Sequence, residues 1–264
     1  MFLKKIALGF LVIGTYCLPT LGQRESRYFN SAMGFCPFPH ENVNLDLFNT
    51  RNMVVKEIKT NKNASTEEIG MLLDNHCANN SIAILNWEEF SYIPKVGFKI
   101  AHNGTEILLK YTVSEKYTMA RETKTNGNVY KDSCVEFFIS FDQTNYYNLE
   151  FNGIGTRHVA YGPGRNGRKF VDSKILEGIT IKSSLGDKPF DEKAGLGKWE
   201  ITMVIPVSCF AFSTIDSLNG VKATANFYKC GDETSLPHFV TWSPIDTPNP
   251  DYHRPEFFGE LWFE

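Results

Sequence analysis

The chain has 264 residues, with 27 Lys and Arg against 30 Asp and Glu and a formal charge of -3. That length holds one full core, or one core with an appendage, because single all-β domains often reach it. Balanced charge without a clustered basic tract excludes the electrostatic footprint of a nucleic-acid binder, and 21 Phe with 11 Tyr suit strands and ring-lined faces better than a helical bundle.

The first residues carry an address. Lys4 and Lys5 precede an apolar run from Ile6 to Ile13, and small residues follow at Thr20 and Gly22. This pattern predicts a signal peptide over residues 1–22, cleaved after Gly22. The apolar run is shorter than the about 20 residues a membrane span needs. Tyr16 before Cys17 is too bulky for a lipidation signal. No later segment is apolar enough to span, so the expected destination is exported: periplasmic, cell-surface or extracellular.

Residues 23–52 are rich in Asn, Pro and Ser and read as a linker or loosely packed arm. The pattern tightens from Met53, and residues 53–264 read as one β-sandwich domain. Thr66 to Asn75 has helical spacing, with Ile69, Leu72 and Leu73 on one side and Glu67 and Glu68 in the first turn. Val96 to Val113 reads as a hairpin, in which Val96, Phe98 and Ile100 alternate with polar or small residues, Asn103-Gly104 supplies a tight turn, and Ile107, Leu109, Tyr111 and Val113 alternate on the return. Further period-two runs follow at Val135–Phe141, Tyr147–Phe151, Trp199–Ile205, Val221–Tyr228 and Gly259–Phe263. Strands in such excess over helices predict an all-β, antiparallel two-sheet sandwich of jelly-roll or immunoglobulin type, with one short helix near the N-terminus. Trp87, Trp199, Trp242 and Trp262 are expected in packing roles.

The chemical motifs are sparse. Removing Cys17 with the signal leaves Cys36, Cys77, Cys134, Cys209 and Cys230, an odd number without a Cys-x-x-Cys pair, and Cys134 reads as a small core residue. Gly162-Pro163-Gly164-Arg165-Asn166-Gly167 matches a dinucleotide fingerprint in letters only, because no helix is expected to begin there. The six histidines lack metal-ligand spacing. A glycoside hydrolase would need two carboxylates about 5 Å or about 6.5 to 9.5 Å apart; Asp132, Glu136, Glu150, Asp251 and Glu256 are available, at separations no sequence fixes. A haem-binding or adhesion sandwich would need axial ligands, for which Met119 and His158 are on offer.

Four blocks then stand out together: Asp132-Ser133-Cys134-Val135-Glu136-Phe137-Phe138, Tyr146 through Asn152, Trp199-Glu200-Ile201 through Ile205-Pro206, and Trp242-Ser243-Pro244 through Tyr252-His253-Arg254-Pro255-Glu256-Phe257-Phe258-Gly259. In order and spacing they resemble the family 9 carbohydrate-binding modules, over roughly residues 80 to 264. The resemblance implies a non-catalytic sandwich that holds a terminal sugar of a β-glucan or xylan between two rings, in company with glycan-degrading enzymes. By motif position Tyr130 and Tyr252 are those rings, standing where better-known members carry tryptophan. Calcium supports some members of the family, and although no run of oxygen ligands like a calcium loop is present here, calcium stays open as a possible ion, with no other cofactor assigned.

The residue chemistry suits such a ligand without the family, since a pyranose has apolar C–H faces and a rim of hydroxyls. Glu136 can accept two charge-assisted hydrogen bonds from that rim, or stand as an ordinary solvated strand residue. Asn249, Asn152 and, more weakly, Asn226 are further rim candidates. Arg157, Arg165 and Arg168 are within reach from loops.

Overall fold

A computed structural model describes residues 51–264. The expected signal peptide, and residues 23–50 of the expected linker, lie outside the described residues. The chain runs through β1 (Asn52–Val55), α1 (Thr66–His76), β2 (Asn80–Ser81), β3 (Ile84–Leu85), β4 (Lys95–His102), β5 (Glu106–Ala120), β6 (Cys134–Ser140) and β7 (Tyr146–Asn152). It continues through β8 (Arg157–Gly162), β9 (Lys169–Phe170), α2 (Ser173–Leu176), β10 (Thr180–Ser183), β11 (Phe190–Pro206), β12 (Lys222–Cys230), β13 (Phe239–Thr241) and β14 (Gly259–Phe263).

The strands form two sheets. One has nine strands in the order β1-β14-β12-β6-β7-β8-β9, with β13 and β3 added through β12, and the other has five in the order β10-β11-β5-β4-β2. The pairings are antiparallel except for β1 beside β14. The two-sheet sandwich therefore stands, and the helix α1 starts on a capping box between Ser65 and Glu68. The β4–β5 turn is looser than a two-residue turn: His102 pairs with Ile107, and Asn103 Oδ1 accepts from the Thr105 and Glu106 amides. Gly104, with φ at +95°, takes the left-handed position that follows.

Alternation sorts each strand into two faces. Val135, Phe137 and Ile139 of β6, Leu149 and Phe151 of β7, and Phe227 of β12 meet Phe98, Tyr111 and Ile201 from the other sheet in the main core. The stacked rings of Phe98 and Phe227, 3.8 Å apart, mark its centre. On β14 the same rule turns Leu261 and Phe263 inward and leaves Trp262 49% exposed, so this tryptophan does not pack as expected. Trp87, Trp199 and Trp242 are buried.

A polar cluster sits inside the sandwich. Lys229 Nζ, fully buried, contacts Glu115 Oε2 at 2.8 Å, the Cys230 carbonyl at 2.7 Å and His238 Nε2 at 2.7 Å. Trp199 Nε1 donates to the other oxygen of Glu115 at 2.7 Å. Since Lys229 is on β12 and Glu115 on β5, the contact ties the two sheets. Burial, and then the Lys229 ammonium, push the His238 pKa down to about 2, so its ring is a neutral acceptor. The other groups facing it are Glu115, 3.8 Å away, and the edge-on ring of Tyr92. Because the folded pKa lies below the ordinary unfolded value of about 6.5, this contribution is whole above pH about 6.5 and fades as pH falls. Urea denaturation from pH 6 to pH 4 is expected to show the parent losing up to about 1.4 kcal/mol per pH unit more than His238→Gln.

The face of the large sheet that points away from the sandwich is covered as well. A second apolar cluster of Trp87, Cys134, Phe138, Tyr146, Tyr228, Ile245, Tyr252 and Phe258 lies there, roofed by the segment between β13 and β14. Three side chains pin that roof. Asn226 accepts from the amides of Phe227 and Ser243 and donates to the Ser243 carbonyl, Asn86 accepts from the Ile245 amide, and Trp87 Nε1 donates to the Thr247 carbonyl. Asn226→Ala would strand buried backbone groups at about 1–3 kcal/mol each, a loss that equilibrium denaturation should register.

Candidate functional site

Register builds the site. Tyr228 of β12 stands opposite Glu136 of β6, Glu136 opposite Glu150 of β7, and Glu150 opposite His158 of β8. Since opposite residues share a face, these four form one row across the roofed side of the sheet. The row opens into a cavity of about 290 Å³, walled by Tyr130, Phe239, Tyr252 and His253 and edged by Arg165, Arg168, Asp232 and Asp251. That volume is at the small end of the about 300–1,000 Å³ typical of small-molecule sites.

Polar capacity in the cavity is left unused. Glu150 Oε1 accepts from Asn148 Nδ2 at 2.9 Å, while Oε2 has no protein partner. His158 Nδ1 lies 2.9 Å from the Gly127 carbonyl, which only accepts, so Nδ1 carries a proton, and in the neutral ring the unpartnered Nε2 is an acceptor. Arg168 Nε donates to the Arg165 carbonyl, leaving Nη1 without a partner. Buried polar atoms are rarely left unmatched, and three that border one cavity mark a place for a ligand.

Glu136 is 3% exposed and receives the Cys230 thiol at 3.1 Å. Burial first, and the neighbouring Glu150 second, hold its carboxyl pKa well above the usual range. Burial also lifts Asp232, to about 6, and pushes His253 down to about 2. His253 Nδ1 is 2.7 Å from the Tyr146 hydroxyl. Both signs of charge ring the mouth, and Arg165 and Asp251 are paired at 2.7 Å.

A larger groove of about 530 Å³ crosses the five-stranded sheet near Lys95, Thr112 and Lys198. It has no stranded polar atom, and its one ring, Trp199, is only 3% exposed. The roofed cavity is the better candidate.

A model of carbohydrate-binding family 9 matches residues 67–263. The chain belongs to this family. Its fold is similar to that of a candidate carbohydrate-binding protein from Bacteroides uniformis ATCC 8492, at 40% identity and a TM-score of 0.79, over 81% of this chain and all of that one. More distant is a family 9 module from Caldicellulosiruptor kristjanssonii in complex with glucose, 13% identical over 81% of this chain and 96% of that chain, with a TM-score of 0.49. The same module with cellotriose gives 12% identity over 81% and 94%, with a TM-score of 0.47. A comparison with curated proteins found no match.

In this family 9 domain the expected site residues part company. Tyr130, Glu136 and Tyr252 line the one cavity. Tyr252 is also part of its frame, since its ring stacks on Tyr228 at 4.1 Å and its hydroxyl donates to the Lys229 carbonyl at 3.0 Å. Asn249 is exposed and does not border the cavity. Asn152 and Asn226 are fully buried, with their hydrogen bonds spent internally: Asn152 donates to the Glu122 carbonyl and Asp132 and accepts from the Thr156 amide. Neither has an atom to offer a ligand, so these two are corrected to framework residues.

Glu150 and His158 enter the site in other roles than those weighed from the sequence, where they stood as hydrolase and haem candidates, and Arg168 borders the cavity from the loop in which the sequence placed it within reach of a ligand. The signal that finds Glu150 is alternation with Leu149 and Phe151, which turns it to the Glu136 side of the sheet. Met119 is sealed into β5 of the other sheet at 1% exposure and offers no haem ligand to the cavity. The Gly162–Gly167 segment ends β8 without starting a helix, as α2 begins at Ser173.

Proposed function

We propose that this family 9 domain is an exported, non-catalytic module that grips one terminal sugar of a β-linked glucan or xylan, in the service of glycan-degrading enzymes. The supporting observation is the convergence of two unpartnered acceptors, Glu150 Oε2 and His158 Nε2, and one unpartnered donor, Arg168 Nη1, beside aromatic walls. A hydroxyl both donates and accepts, so a neutral polyol completes all three. The apolar face of a pyranose covers Tyr130 or Tyr252, where aromatic contact adds about 0.5–1.5 kcal/mol beyond burial. Carboxyl and guanidinium groups around the mouth disfavour a ligand of one strong charge. The Lys4-Lys5 and apolar leader supports export.

A glycan array followed by calorimetry on the leading oligosaccharide tests the reading. Tyr130 is half-buried and its ring is not locked by stacking, so Tyr130→Ala is expected to weaken binding at least tenfold while melting stays near the parent. An array blank for β-glucan and xylan oligosaccharides would end the proposal. A reducing-sugar assay on the same ligands is expected to stay at background, and turnover would replace binding with hydrolysis.

A further inference from the structure

At the floor of the cavity the strand register brings two thiols and a carboxyl together. Cys134 of β6 stands directly opposite Cys230 of β12, and Glu136 is the next residue of β6 on the same face. Both sulfurs and a Glu136 oxygen lie within 4.8 Å of one another, all in buried residues. Both cysteines are free thiols. Glu136 and Cys230 border the cavity, so the cluster is reached from it, with Cys134 behind them.

We propose that Cys134, Cys230 and Glu136 form a binding site for a thiophilic divalent cation of the zinc type, with its remaining coordination position open to the cavity. Two sulfurs and one oxygen suit zinc, which accepts mixed sulfur and oxygen donors and, with three protein ligands, keeps a fourth position for water or a ligand. Calcium, which takes six to eight oxygens, and magnesium, which needs an octahedron of them, do not fit this set.

A second observation also points to a cation. Glu150, directly opposite Glu136 and 4% exposed, leaves Oε2 unpartnered in the same cavity. With Asp232 also lining the cavity, three carboxyls and two thiols gather about its floor. Metal binding replaces the protons that the ligand atoms carry. The two S–H bonds and any Glu136 O–H bond break, their protons leave to solvent, and two sulfur–metal bonds and one oxygen–metal bond form without change of oxidation state.

The test uses the full chain, reduced and stripped with a chelator, and needs no sugar, so its failure leaves the sugar reading intact. Zinc is titrated against a chromophoric chelator, and cadmium is added while thiolate-to-metal absorption is followed. One equivalent is expected to bind, with protons released into a weakly buffered indicator. Cys134→Ser and Cys230→Ser should each weaken binding at least a hundredfold, while Cys77→Ser and Cys209→Ser should not. If the serine variants do not fold, Glu136→Gln keeps both thiols and is expected to weaken binding at least tenfold. Parent affinity equal to that of the Glu136→Gln variant, or no cadmium–thiolate absorption, would overturn the site. So would peptide mapping that finds Cys134 and Cys230 joined as a disulfide in protein isolated without reductant.

Discussion

Lys229→Met is expected to destabilise the domain by about 3–5 kcal/mol, enough to consume much of the stability of an ordinary domain. The side chain is fully buried between the sheets, where its ammonium is ion-paired with Glu115 and donates to the Cys230 carbonyl and to His238. Methionine fills a similar volume but leaves Glu115 in the interior with only Trp199 as a partner. An uncompensated buried charge costs more than the lost attraction, because removing either ion exposes the full desolvation penalty of the other. Adding Glu115→Leu in the Lys229→Met background should therefore recover part of the loss, as a double-mutant cycle in urea would measure. A single variant within about 1 kcal/mol of the parent would mean that Glu115 finds water or a proton there.

Glu150→Gln is expected to divide binding from stability. The amide keeps an oxygen to accept from Asn148 and replaces the stranded Oε2 with a donor. It also removes one of two carboxyl groups that face each other across β6 and β7. Relieving this crowding makes the fold as stable as the parent or more so, by about 0.5–2 kcal/mol. Binding runs the other way. A sugar hydroxyl that donated to Oε2 now meets an N–H group, and loss of a charge-assisted acceptor of about 1.5–3 kcal/mol predicts a tenfold to hundredfold weaker association. Calorimetry and melting on one preparation check both halves. Equal affinity in parent and variant would remove Glu150 from the site, and a lower melting temperature would make it a structural residue.

The sequence carried more of the fold than of the site. Val96 to Val113, with its alternating apolar residues, became β4 and β5, and the turn differs from a tight one because the Asn103 side chain caps two amides. The face of Glu136 was also legible, as neighbours Val135 and Phe137 point into the sandwich core. A roof on that face was not. The sequence pattern shows which residues of a strand share a side, but a solvated side and a side covered by a distant segment look alike in it.

By itself, then, the sequence determined the two-sheet class, the helix α1 and the side of β6 from which Glu136 projects, because these follow from local periodicity, turns and caps. Only the tertiary structure decided that Glu150 and His158 stand in line with Glu136, that Asn152 and Asn226 spend themselves on backbone groups, and that Tyr252 is both wall and frame. Those outcomes depend on strand neighbours and on a loop folded back from far along the chain. Contacts of that kind are chosen by pairing register and burial, which no local pattern of residues encodes.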